Sequence, residues 1–197
     1  MENMETQNMR IVEEPRKPLA MHPKKFGMWL FLATVVMIFG SLTSAYIVRR
    51  AEGNWKVFEL PSLFYWTTAI IVLSSITLHV SYLQARKNRL ESLNQWLWLT
   101  GLLGLGFLVG QFWGWKQLVQ ASIYLVGNPS ESFVYVLSGL HGLHVVSAVI
   151  FLMVVVRSAS VGRIHPGNLA QMEMCMTYWH FLGGLWLYLF AFLLLYR

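Results

Sequence analysis

Residues 173–186 read Glu173-Met174-Cys175-Met176-Thr177-Tyr178-Trp179-His180-Phe181-Leu182-Gly183-Gly184-Leu185-Trp186, and they open an apolar run that continues to Tyr196. A run of this length crosses a bilayer as a helix, so a glutamate and a histidine sit in or at the edge of a membrane span, where water cannot solvate them. Successive helical residues are about 100° apart, which puts Glu173, Thr177, His180 and Gly184 on one face. One side of this last helix is therefore polar and thin, and needs partners.

The rest of the chain agrees with a membrane setting. Of 197 residues 56% are hydrophobic and 12% charged, a balance that excludes an ordinary soluble domain. The formal charge of +6 is spread over loops and the amino terminus with no basic cluster of the kind that binds nucleic acid, so no nucleic-acid partner is expected. The one cysteine, Cys175, rules out an internal disulfide, and there is no CxxC or CxxCH pattern for a structural zinc or covalent haem. With no cleavage pattern near the start, the first apolar segment reads as an uncleaved anchor.

Five runs are long enough to span: Phe26 to Val48, Ser62 to Gln84, Leu93 to Trp115, Phe133 to Val156 and Met172 to Tyr196. The expectation is an all-α integral membrane protein, a bundle of five transmembrane helices over 25–197 preceded by a polar cytoplasmic tail, 1–24. Ten Lys and Arg (Arg10, Arg16, Lys17, Lys24, Lys25, Arg86, Lys87, Arg89, Arg157 and Arg163) fall on one side and five (Arg49, Arg50, Lys56, Lys116 and Arg197) on the other. This bias places the amino terminus in the cytoplasm and the carboxyl terminus outside. In the third helix Gly106, Gly110 and Gly114 recur every four residues, a pattern that lets another helix backbone approach, and Gln111 beside them can donate across the contact.

Helix four carries Ser138, His141, His144 and Ser147 on a shared face. Counted at 1.5 Å per residue, His144 lies roughly 16 Å from one membrane face and His180 roughly 12 Å from the other, so helices four and five are expected to hydrogen-bond near the bilayer centre. Histidine pairs on different helices can ligate haem b, and His79, His141, His144 and His180 supply the residues for a stand-alone haem b electron carrier. A metal held by His141, His144 and Glu173 is disfavoured, because Glu173 belongs near the interface. A transporter is disfavoured too, since no charged residue stands at mid-depth. Taken one at a time, these histidines read as structural groups bonding neighbouring helices or lipid.

Taken together, helices four and five resemble subunit III of haem-copper terminal oxidases, the cytochrome c oxidase subunit III family. The resemblance rests on Gly139-Leu140-His141-Gly142-Leu143-His144-Val145 and on Glu173 followed by Tyr178-Trp179-His180-Phe181 and Trp186. Lys25-Phe26-Gly27-Met28-Trp29-Leu30-Phe31-Leu32 is similar to the opening of the third helix of the seven-helix form, Pro61 with Leu73-Ser74-Ser75-Ile76-Thr77-Leu78 to the next, and Gln111 with Ser132-Phe133 to the approach to the HGLH helix. The likeness runs from 25 to 197 in order and matches the five-helix bacterial form.

What the resemblance implies is a non-catalytic subunit of a proton-pumping respiratory oxidase in the bacterial inner membrane. It would lie directly against subunit I and near other oxidase subunits, hold phospholipid, support sustained turnover and proton uptake, and carry no haem, copper or other redox centre of its own. Haem and copper belong to the partner subunits, and a larger respiratory supercomplex is a further partner it allows. Cytochrome c is the favoured electron donor; a quinol oxidase subunit III is the alternative. Carried over by position, His141, His144, Glu173, Tyr178, Trp179, His180 and Trp186 are packing and lipid-facing polar sites. Two departures stand out. Thr34-Val35 replaces the family's common Ser-Glu pair, and Gly183-Gly184 follows His180 where an Asp is frequent. Each removes a group whose burial would cost about 2.5 to 3.5 kcal/mol at the bilayer centre, which favours a scaffolding and lipid role over a protonic one.

Overall fold

The computed structural model describes residues 23–196 as five α-helices in chain order: α1 Pro23–Ala51, α2 Leu63–Arg86, α3 Leu90–Gln120, α4 Pro129–Ser160 and α5 Ala170–Tyr196. The amino-terminal tail and Arg197 lie outside the described residues. All five helices are long and apolar enough to cross a membrane. Helix is the form such runs must take, because hydrocarbon offers no partner to an unpaired peptide group. Each helix outlasts the apolar run that announced it, most of all α3 and α4, because polar and small residues at the membrane surface continue the turn.

The breaks between helices are made by local chemistry. Asn88, between α2 and α3, and Ser122, after α3, adopt the left-handed conformation, with φ of 56° and 60°. Asn128 starts α4: its Oδ1 accepts from the Ser130 backbone N–H at 3.1 Å, and Pro129 fills the first helical position, where no N–H is needed.

From α2 onward, short connections make sequential helices antiparallel neighbours. Helices α2, α3, α4 and α5 form a closed ring, α2 touching α3 and α5, and α4 touching α3 and α5; α1 lies outside it, against α4 and α5 alone. Leu93, Leu97, Phe107, Leu137, Leu152, Met172 and Trp186 fill the ring and are fully buried. The outer wall is also apolar: Met37 is 72% exposed and Leu143 65%. A surface this greasy faces lipid, not water.

Candidate functional site

The polar face of α5 is distributed over three neighbours. At the first turn of α5, Glu173 Oε2 lies 2.5 Å from Lys25 Nζ of α1, and Tyr82 of α2 donates from its hydroxyl to Glu173 Oε1 at 3.4 Å. Thr177 turns back on its own helix, its hydroxyl donating to the Glu173 carbonyl at 2.9 Å. Glu173 thus ties three helices together at one end of the bundle.

Deeper in, the aromatic residues that follow Glu173 carry the polar bonds. Trp179 Nε1 donates to Ser74 Oγ on α2 at 3.0 Å, and Trp186 Nε1 to Thr68 Oγ1 on the same helix at 2.9 Å. Tyr178 points the other way, to α4: its hydroxyl is 2.6 Å from Ser147 Oγ and donates to the His144 carbonyl at 3.3 Å. Gln111 Nε2 on α3 donates to Thr67 Oγ1 at 3.1 Å, and Trp115 Nε1 to Ser138 Oγ at 3.0 Å. Every adjacent helix pair in the ring is therefore pinned by a side-chain hydrogen bond; Thr77 and Thr100, 2.8 Å apart, add another between α2 and α3. In lipid such bonds, with small residues, replace the hydrophobic drive that assembles soluble bundles.

The histidines separate. His141 is fully buried in an aromatic box, its ring centroid 5.1 Å from that of Trp186, 5.9 Å from Phe107 and 6.4 Å from Phe39. His144 faces α1, with Phe39 at 5.7 Å, and its Nδ1 lies 2.8 Å from the Leu140 carbonyl of its own helix. His180 does not meet it. Tyr178 makes the link from α5 to α4, while His180 lies two residues further round α5 and turns to α2, its ring centroid 6.2 Å from that of His79. Haem ligation by that pair would need a flat macrocycle between the rings. One turn away a β-carbon on Gly183 would stand 3.1 Å from Ser75 Oγ, so α2 and α5 are in contact there and leave no slot. Among the described residues no three His, Cys, Asp or Glu side chains gather into a metal-binding group.

The glycines of α3 divide differently from their spacing. A β-carbon on Gly110 would collide with Thr67 Cγ2, and one on Gly114 would stand 3.0 Å from the Phe64 ring, so both allow the close approach of α2. A β-carbon on Gly106 would meet nothing within 4 Å. Its place is taken by Gly104, where a β-carbon would stand 2.7 Å from Trp179 Cη2, and by Gly101, 2.8 Å from Met153 Cε. On α1, Val35 is buried among apolar neighbours where the resemblance led one to look for a carboxylate. Of the glycines after His180, Gly183 is pressed to α2 and Gly184 is exposed.

At the opposite end from Glu173 the chain builds a second polar cluster, which the motif reading missed. Asn128 Nδ2 donates to the Asn54 carbonyl at 2.8 Å; the carboxylate of buried Glu131 lies 3.3 Å from Lys56 Nζ and accepts from the Tyr124 backbone N–H at 3.3 Å. Two loops are thereby stitched to the start of α4. The Asn-Pro pair was the available signal. Beside it, between α1 and α4, opens a cavity of about 830 Å³ lined by Ser41, Ala45, Val48, Phe133 and Val136, with Arg49 and Glu52 paired at 2.6 Å at its edge. None of the seven motif residues lines it.

The family model described as cytochrome c oxidase subunit III matches residues 16–197, nearly the whole chain and all five helices. The chain belongs to the cytochrome c oxidase subunit III family. Among its relatives, the probable cytochrome c oxidase subunit 3 of Nocardia farcinica is 31% identical over 170 residues, 84% of each chain. The cytochrome c oxidase subunit 3 of Thermostichus vulcanus is 29% identical over 182 residues, 87% of this chain and 88% of the relative. The probable quinol oxidase subunit 3 of Staphylococcus saprophyticus is 26% identical over 174 residues, 85% of this chain and 86% of the relative. The fold suits a subunit III: it is a multi-pass membrane bundle of five helices. Membership implies assembly with other oxidase subunits.

Proposed function

We propose that this protein is the non-catalytic subunit III of a proton-pumping haem-copper oxidase in a bacterial inner membrane, lying against subunit I and sustaining its turnover. The observation that carries the reading is the family match over all five helices. The half-buried His180 and exposed His79, paired on the outer wall of α2 and α5, support it. Imidazoles facing hydrocarbon are costly, and a neighbouring subunit that bonds to them removes the cost. The charge bias supports an orientation with the Glu173 end in the cytoplasm.

Phospholipid occupies the cavity between α1 and α4 on this reading. Its apolar wall of Ala45, Val48 and Val136 suits an acyl chain, while Arg49 and the serines at positions 41, 44 and 132 suit a headgroup. His141, His144, Glu173, Tyr178, Trp179, His180 and Trp186 then act as the frame that holds the helices in place, and redox chemistry belongs to the partner subunits. We assign cytochrome c as the electron donor, following the names of the relatives from Nocardia and Thermostichus; a quinol donor is the second reading, favoured by the names of the staphylococcal relatives. Deleting the gene tests the role. The oxidase should keep its haem spectrum and its initial rate but lose activity progressively during turnover; an oxidase that persists equally well without this chain would overturn the reading.

A further inference from the structure

Three observations fall on neighbouring turns of α3 and α4. Both ring nitrogens of His141 are buried without a hydrogen-bond partner, although a neutral imidazole always presents one donor and one acceptor. Gln111, 3% exposed, uses its amide nitrogen on Thr67 and leaves its Oε1 buried and unpaired. Gly142, next to His141, is buried, yet a β-carbon added to it would meet nothing within 4 Å. A closed core does not ordinarily combine orphaned polar atoms with room to spare.

The helix register brings these features to one level. Gly139 of α4 stands against Trp115 of α3, Val149 against Gly104, and Leu152 against Gly101. Following the antiparallel pairing inward from these contacts puts Gly142 and Gln111 at the same level. Ser138 lies one turn before Gly142 on the same stripe of α4; its hydroxyl accepts from Trp115 and donates to the Val134 carbonyl, which leaves one lone pair. The aromatic walls of the box cannot help His141, since the Trp186 N–H is already bound to Thr68.

We propose that the space beside Gly142 is a binding site for buried water, held by Gln111 Oε1 and the His141 ring, with Ser138 as a third partner. Buried polar atoms left without protein partners are where internal water is retained. The water completes the bonding of His141 and fixes the ring orientation, so the histidine of α4 serves the bundle through solvent it carries inside. The inference stands on the geometry of this chain and does not depend on the oxidase assignment.

The test is to measure the thermal midpoint of the full chain, purified in mild detergent with whatever accompanies it. Gly142→Ala puts a methyl group where the structure shows room for one. A hydrated site loses its water to the methyl, so the midpoint should fall; Gly142→Ser should recover part of that loss by offering a hydroxyl, and in a Gln111→Leu background Gly142→Ala should no longer lower the midpoint. A dry void would behave oppositely: the methyl fills it, and the midpoint rises or holds. A fall with Ala that is equalled or exceeded with Ser would indicate a steric clash. Either of these results overturns the proposal, as would a high-resolution density map of the preparation with the space beside Gly142 empty.

Discussion

Trp179 lies in the space that Gly104 leaves on α3: a β-carbon at 104 would stand 2.7 Å from the indole Cη2, while the indole N–H donates across to Ser74 on α2. One side chain of α5 thus reads two other helices at once, by shape and by hydrogen bond. Gly104→Val should therefore destabilise the bundle by about 1 to 3 kcal/mol, the usual cost of overpacking a filled core. Gly106→Val, two residues away in open space, should change stability little. Thermal midpoints of the two variants in the same detergent check the contrast, and equal shifts would contradict it.

The reason for that contrast also shows what the sequence could disclose. The number and order of the helices were legible, because a run of about 20 apolar residues has few fates other than a membrane span. The packing face of α3 was only half legible. At about 100° per residue, a four-residue repeat drifts by about 40° each step, so Gly110 and Gly114 face α2 while Gly106 has turned past its edge. Gly101 and Gly104, off that row, face α4 and α5 instead. Similar reasoning explains His144 and His180. Counting residues gives depth but not direction, and on α5 it is Tyr178 that points at α4. The pairing of Ser74, Thr68 and Ser147 with an indole or a phenol was not legible, since serine and threonine are frequent in membrane helices whether or not such a group lies opposite.

The Tyr178 hydroxyl and Ser147 Oγ, 2.6 Å apart, are the side-chain bond between α4 and α5. A double-mutant cycle with Tyr178→Phe and Ser147→Ala should return a coupling of about 0.6 kcal/mol, the average for such bonds in membrane bundles. Unfolding in a graded detergent mixture gives the four values needed. A coupling indistinguishable from zero would mean that the pair is not bonded in the membrane.

Asn128 has two tasks, capping α4 through its oxygen and holding the loop before α2 through its nitrogen. Asn128→Ala should cost about 1 to 2 kcal/mol in the cap and release the loop over 52–62. Hydrogen exchange in that loop should accelerate, while exchange in the turn after α2, at the far end, stays as it was. Uniform acceleration at both ends would refute a local role.

The Lys25 and Glu173 side chains are close but 35% exposed each, so the charges keep part of their solvation. Lys25→Gln and Glu173→Gln should each shift stability by less than about 1 kcal/mol, against the 3 to 5 kcal/mol expected on breaking a fully buried pair. A titration of midpoint against salt would check it: the wild-type protein should weaken slightly as salt rises and the variants should not.

On the proposed reading this chain frames an oxidase without carrying its redox centre. The direct measurement is to extract the tagged protein from its native membrane in mild detergent, identify the accompanying chains, dissociate them, and record a reduced-minus-oxidised spectrum of each fraction. Haem-copper subunits should accompany the protein, and after dissociation all haem absorbance should remain with them, leaving this chain colourless. A b-type haem spectrum that stays with the isolated chain would contradict the account and return His79 and His180 to consideration as ligands.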